Sequence, residues 1–306
     1  MMQPTKHIPI FVHASLLLLC LPLSSRLQTP KEHPGISLER KYQPGDQYRY
    51  RLTTNVEQNG KWQSKIIAVC ELKVVTDSSR IPYDEVRWIS KKVITAKDTT
   101  DFTKEAQEVP PYRISLHPKG RLDIPTLSVA GMTGEITDFN TFFVAVSLKL
   151  GISNLKGTGD QHTGKEPVKG DFSNGKDILK GNDCLITQVG ITAINQQYIE
   201  LKSSFLPPAT NCFDYLTTDL SQPVVADSSN NFQMVRSSDP GKVNILFGRE
   251  FFIIDSRIQR KDGKIKQATM DNQLKLKLKF NCDERYENCQ ATMPFSIVRH
   301  LLLELL

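Results

Sequence analysis

Leu274, Leu276, Leu278 and Phe280 alternate without a break with Lys275, Lys277 and Lys279, a pattern that suits an extended strand and not a helix. Successive side chains of a strand point to opposite faces, so one face of this segment belongs to a core and the other carries a row of lysines. Such a row serves a solvated outer face or a blunted edge before it serves an anionic surface. The same period runs through residues 47–57, where Tyr48, Tyr50, Leu52 and Val56 share one parity against Arg49, Arg51 and Glu57. Asn59-Gly60 follows, and because both residues accept positive φ the pair suits a type I′ hairpin turn. The return arm, residues 62–74, places Trp62, Ile66, Ala68, Cys70, Leu72 and Val74 on one face. A third strand is expected over residues 83–95 with Val86 and Trp88 inward. The C-terminal third repeats the device with a strand over 251–259, an Asp262-Gly263 turn and a returning arm from 265. Residues 295–306 are apolar, which predicts that the chain ends in a docked strand.

One helix interrupts this pattern. Phe139, Phe142, Phe143, Val146 and Leu150 follow the i, i+3, i+4, i+7 and i+11 spacing of a single apolar stripe, with Thr137 or Asp138 placed to cap its start and Gly151 its end. In a chain built of strands, the surface that covers such a stripe is the concave side of a sheet. The fold class is therefore mainly β: a curved antiparallel sheet or half-barrel of hairpins with one packed amphipathic helix. Residues 97–110 are polar and end in Pro110-Pro111, so they are expected to form a connection. Residues 151–181 are rich in glycine and charge, so they are expected to form a long loop, one that could join two sub-sheets. With 306 residues, 39% of them apolar, the chain can build a core, which excludes disordered and fibrous classes.

The first residues read as an export signal. Lys6 and His7 precede an apolar stretch, residues 8–23, and Ser24-Ser25 supply small residues for cleavage. A spanning helix needs about 20 consecutive apolar residues, whereas Pro9, His13 and Pro22 break this stretch. Residues 1–25 are thus a signal peptide, 26–43 a flexible N-terminal segment and 44–306 a β-rich domain with no transmembrane span after cleavage. Cys20 follows Leu19 instead of the small residue a lipidation site carries, so it reads as part of the signal core. An exported chain meets an oxidising compartment. Cys282 and Cys289 flank a short polar loop and are the best disulfide candidates, Cys184 and Cys212 are a second candidate pair, and Cys70 lies on an apolar strand face as a buried thiol.

No chemical motif survives inspection. Gly159-Asp160-Gln161-His162-Thr163-Gly164-Lys165-Glu166 approaches a phosphate-binding loop, but Glu166 stands where a hydroxyl should reach Mg²⁺ and Pro167 follows where a helix should continue. His33, His117, His162 and His300 lack metal-ligand spacing, and Ser153 lacks the second glycine of a nucleophile elbow. No catalytic residue, metal ligand or cofactor is assigned. The formal net charge of +6 is modest, and without a basic patch interleaved with aromatics it indicates no nucleic-acid partner.

The Gly45-Asp46-Gln47-Tyr48-Arg49-Tyr50 strand, following a signal peptide and leading into a long hairpin, resembles exported bacterial β-rich proteins of uncharacterised function. The architecture inferred above is similar at fold level to the lipoprotein-carrier half-barrels of the bacterial envelope. That likeness implies an envelope protein binding an apolar small molecule or lipid in a concave sheet, with Phe139, Phe142, Phe143 and Val146 lining the groove. Two alternatives stand beside it. In the first, the stripe fills the core and the protein is a structural or protein-binding module with an envelope protein as partner. In the second, it is a secreted hydrolase whose site is assembled only by folding.

Overall fold

The computed structural model describes residues 38–122, 130–171, 177–207, 213–214, 231–239, 241–283 and 288–306, all within the unit Gly35–Leu306. The alternation seen in the sequence becomes strands β1 (Gln47–Gln58), β2 (Lys61–Thr76), β3 (Pro82–Thr95), β4 (Thr99–Asp101) and β5 (Tyr112–Ile114), with a short helix α1 (Thr103–Gln107) between the last two. Helix α2 (Thr133–Ala145) comes next. It is followed by β6 (Gln161–Asp171), β7 (Asp177–Ile194), β8 (Tyr198–Leu206), β9 (Phe213–Asp214), β10 (Phe232–Asp239), β11 (Lys242–Gln259), β12 (Ile265–Cys282) and β13 (Ala291–Leu305).

These strands form one antiparallel sheet whose order is β4-β3-β2-β1-β13-β12-β11-β8-β7-β6, with β5, β9 and β10 pairing to β3, β7 and β11. The C-terminal strand lies in the middle. On one side β13 pairs with β1, Tyr50 opposite Leu305 and Leu52 opposite Leu303; on the other it pairs with β12, Ala268 opposite Leu303. The inward parity of β1, Tyr50 and Leu52, continues across this register into Cys70, Ala68, Leu303 and Leu301, all buried in one core cluster.

The sheet curves around α2. Neighbouring strands stand about 4.8 Å apart, so in a flat sheet β3 and β8, six steps apart along the order, would be separated by roughly 29 Å. Yet Glu135 of α2 pairs with Lys91 of β3, and the carbonyl of Ala145 accepts a hydrogen bond from Ser203 of β8 at 3.0 Å. Those two helix positions lie only about 15 Å apart along the axis. Both arms of the sheet must therefore bend toward the helix.

Several expectations are corrected. Much of residues 151–181, expected as a loop, belongs to strands β6 and β7. An edge strand pairs on one side only, so it tolerates Gly164, Pro167 and Gly170, which disguise the pattern. The near phosphate-binding loop thus sits largely on β6. The connection over 97–110 contains β4 and α1. Helix α2 begins one turn before the expected caps, with Met132 at its N-cap and no side-chain cap. Asp138 is unavailable for capping because it is turned into the protein toward Arg299. Gly151 does take a left-handed conformation, φ 79°, but it separates two 3-10 turns, Leu148–Leu150 and Ile152–Asn154, beyond the helix.

Side-chain amides stitch the sheet where strand pairing is interrupted. Between β5 and β4, the Gln107 amide donates to the Ile89 carbonyl of β3 at 3.1 Å. Between β10 and β8, Asn231 copies a strand partner for Glu250: its Oδ1 accepts from the Glu250 N–H and its Nδ2 donates to the Glu250 carbonyl, each at 2.7 Å. At the β1–β2 turn, where Asn59 and Gly60 have φ of 50° and 73°, Asn59 Oδ1 accepts from the Ser296 N–H at 2.9 Å. Each contact satisfies a backbone group that the ladder leaves behind.

Cys282 and Cys289 are joined in a disulfide, with a sequence separation of 7. Closing a loop of that size stabilises a fold by about 2.5 kcal/mol in the chain-entropy model. Cys282 is packed with Ile245 and Phe247 in a small second cluster. Cys70 is a free, buried thiol, and burial pushes its pKa well up, which suppresses the reactive thiolate. The candidate pair Cys184 and Cys212 lies outside the described side chains.

Candidate functional site

The concave face is where an amphipathic stripe and a sheet were expected to meet. Phe139 and Phe142 are 0% exposed, Phe143 3% and Val146 4%, and all four belong to the main core cluster. Their neighbours are protein side chains. Phe139 meets Trp88 of β3 edge-on at 5.7 Å and Tyr50 of β1 at 5.9 Å, while Phe143 meets Tyr50 at 5.9 Å. The Tyr50 hydroxyl donates to the Ile265 carbonyl of β12 at 2.8 Å, so the ring that packs the helix is itself tied across the sheet.

Two ion pairs hold α2 in this position, one buried and one with a partly exposed arginine. Lys91 Nζ lies 2.8 Å from Glu135 Oε2 and donates to the Gly131 carbonyl at 2.6 Å. On the other flank Arg299 of β13 pairs with Asp138 and reaches Asn272 Oδ1 of β12 at 3.4 Å. Asn272 in turn donates to Glu250 Oε1 of β11 at 2.9 Å. Burial pushes the Asp138 carboxyl above its ordinary range, opposed by the Arg299 charge. Burial also raises Glu250, opposed by the Asn272 hydrogen bond. Burial works against the Arg299 cation as well, yet Asp138 and Glu250 outweigh it and hold Arg299 charged. A buried charge is tolerated when it is paired and hydrogen-bonded, and the Arg299, Asp138, Asn272 and Glu250 network meets that condition.

Asn140 breaks the rule. It is 1% exposed, and neither its Nδ2 nor its Oδ1 has a hydrogen-bond partner among the described protein groups. Leucine has nearly the same shape and a higher helix propensity, and an unsatisfied buried amide costs about 1–3 kcal/mol. Asn140→Leu is therefore expected to stabilise the protein by an amount of that order in urea unfolding; a comparable loss would show that the amide is satisfied in solution.

The described histidines are dispersed, and His33 lies outside the described residues. His117 accepts from the Lys119 N–H in a turn, His300 pairs with Asp271 on the outer face, and the His162 ring packs against Gly151, where an added Cβ would lie 2.1 Å from its Cδ2. Among the described residues no group of three or more His, Cys, Asp or Glu could hold a metal ion. A cleft of about 480 Å³ opens at the edge of β3, lined by Arg87, Trp88, Ile89, Gln107, Val109 and Pro111. A second of about 210 Å³ crosses the strands near Glu200, Asp255, Ser256 and Gln267. Neither is lined by the phenylalanines of α2. The outer face is dominated by cross-strand charge pairs, including Arg49–Glu71 at 2.9 Å, Arg51–Glu304 at 2.8 Å and Arg257–Glu200 at 2.9 Å. Lys275 and Lys277 of the lysine row are exposed on this outer side.

Reading the sequence by motif missed the buried polar network. Its signal is a polar residue at an apolar parity: Arg299 among Leu301, Leu303 and Leu305, and Asn272 between Met270 and Leu274. No family model matches this chain, and no curated protein matches it. Among solved structures it has a faint likeness to the structure titled "Crystal structure of MucB in complex with MucA(peri)", at 10% identity and a TM-score of 0.14, covering 85% of this chain and 88% of that one. A TM-score that low assigns neither fold nor function, so the reading of this chain rests on its own residues.

Proposed function

We propose that this chain is an exported, non-enzymatic protein of the cell envelope that works as a structural or protein-binding module and does not carry an apolar ligand. One observation supports this reading above the others: the concave face is filled by α2. The side chains expected to line a groove are buried against Tyr50 and Trp88, and ion pairs to β3 and β13 hold the helix on both flanks. A carrier needs apolar lining free to meet a ligand. Export is supported by the signal-like residues 1–25 and by the Cys282–Cys289 disulfide, a bond that persists in oxidising compartments. No helix among the described residues is long and apolar enough to cross a membrane.

Native mass spectrometry of the protein recovered from a periplasm, followed by solvent extraction, tests the choice. The bare mass is expected across preparations. A reproducible adduct that extracts as lipid would return the phenylalanine stripe to the role of a ligand groove and overturn the filled-core reading.

A further inference from the structure

The segment before β1 places an arginine inside the protein. Residues 38–43 fall in the stretch expected to be flexible, yet the Arg40 side chain is 1% exposed, as is that of Asp84, which lies 3.6 Å away on β3. Arg40 Nη2 donates to the Tyr48 hydroxyl of β1 at 3.3 Å. Its Nη1 donates to the Asp262 carbonyl in the β11–β12 turn at 3.2 Å and to the neighbouring Lys41 carbonyl. Its guanidinium carbon stands 4.7 Å from the centre of the Tyr42 ring and 5.4 Å from that of Tyr48. A second cation borders the site: Lys264 Nζ lies 4.4 Å from the centre of the Tyr48 ring and pairs with Asp46 at 3.2 Å and Asp262 at 3.7 Å.

The groups that receive Arg40 are held independently of it. Asp84 is at an inward position of β3, opposite Val74 of β2, and among the described residues its ion-pair partner is Arg40, with Lys264 a more distant cation. Tyr42 is fixed by the Leu116 N–H, which donates to its hydroxyl at 2.8 Å. The Lys41 N–H donates to the Asp262 carbonyl at 2.8 Å, which keeps the backbone in place whatever side chain position 40 carries. Gly263 lets the backbone approach, since a Cβ there would lie 2.6 Å from the Glu39 carbonyl. A carboxylate, two aromatic rings, a phenol and a carbonyl form a set that suits a planar cation with several N–H donors. An ammonium, compact and strongly hydrated, cannot address them all.

We propose that Asp84, Tyr48, Tyr42 and the Asp262 carbonyl form a guanidinium-binding site, occupied in this chain by its own Arg40, which latches the N-terminal segment across one end of the sheet. The site takes alkylguanidinium cations as a chemical class, and it accepts one from solution when the Arg40 side chain is removed.

Urea unfolding of the full mature protein tests this. Arg40→Ala is expected to lower the midpoint, and ethylguanidinium at concentrations on the order of millimolar to recover most of the loss in a saturable way. Ethylammonium at the same ionic strength should not, and Asp84→Asn in the same background should abolish the recovery. No recovery, or equal recovery by ethylammonium, overturns the proposal. If Arg40→Ala does not fold unaided, folding on addition of ethylguanidinium supports the site, and Arg40→Lys gives a second reading. A lysine variant with the wild-type midpoint would show that charge alone suffices and would overturn it, whereas a large loss in that variant supports recognition of the planar group.

Discussion

Deletion of the last six residues, 301–306, is expected to leave a chain that no longer folds cooperatively. A terminal hexapeptide is usually dispensable, but here it holds the last third of a central strand. Leu301 and Leu303 are buried in the main core, and removing one such leucine side chain typically costs about 2–5 kcal/mol. The deletion also strips the ladder from both neighbours, Tyr50 to Thr54 on β1 and Gln267 to Met270 on β12, and exposes their backbone groups at once. With total stabilities of about 5–15 kcal/mol for folded proteins, the combined loss is comparable with the whole. Removing Leu306 alone, which is 59% exposed, is expected to change little. Thermal unfolding followed by circular dichroism separates the two, and a hexapeptide deletion that still melts cooperatively near the full-length midpoint would refute the central placement of β13.

The second large effect is at Phe139. This ring touches Tyr50, Trp88 and Phe143, and truncating a buried phenylalanine costs about 3–5 kcal/mol through lost transfer energy and a residual cavity. Phe139→Ala is therefore expected to lower the thermal midpoint by roughly ten degrees, while Thr137→Ala on the exposed face of the same helix changes stability by no more than about 0.5 kcal/mol. The comparison bears on function as well as stability. A phenylalanine lining an open groove contributes to cargo more than to the fold, so its truncation would spare stability and reduce binding. A loss of stability with no bound material in either protein is the outcome of a filled core, and a Phe139→Ala variant as stable as Thr137→Ala would count against it.

Strand parity carried most of the legible information. The β1–β2 hairpin with its Asn59-Gly60 turn, the β11–β12 hairpin at Asp262-Gly263, the lysine row and the inward Val86 and Trp88 all follow from local spacing, because side-chain direction in a strand is set by the backbone itself. The pairing of Cys282 with Cys289 follows from seven residues of separation. The phenylalanine stripe fixed the existence of α2, although its start was displaced by a turn because Asp138, a good cap by type, had a buried partner. The β6 strand stayed hidden, since an edge position relaxes the composition that a paired strand requires.

What the sequence determined by itself was therefore the hairpin strands at the two ends of the chain, the helix α2 and, for most of their residues, the face that each one buries, since these depend on neighbours only a few residues away; β4, α1 and β6 were not legible in that way. The tertiary structure alone decided that β13 stands between β1 and β12, that Arg299 meets Asp138, and that Arg40 reaches Asp84. A polar residue at an apolar parity announces that a partner is needed. Which partner answers depends on register between segments that lie far apart in the chain, and that register is settled by packing the whole sheet around one helix.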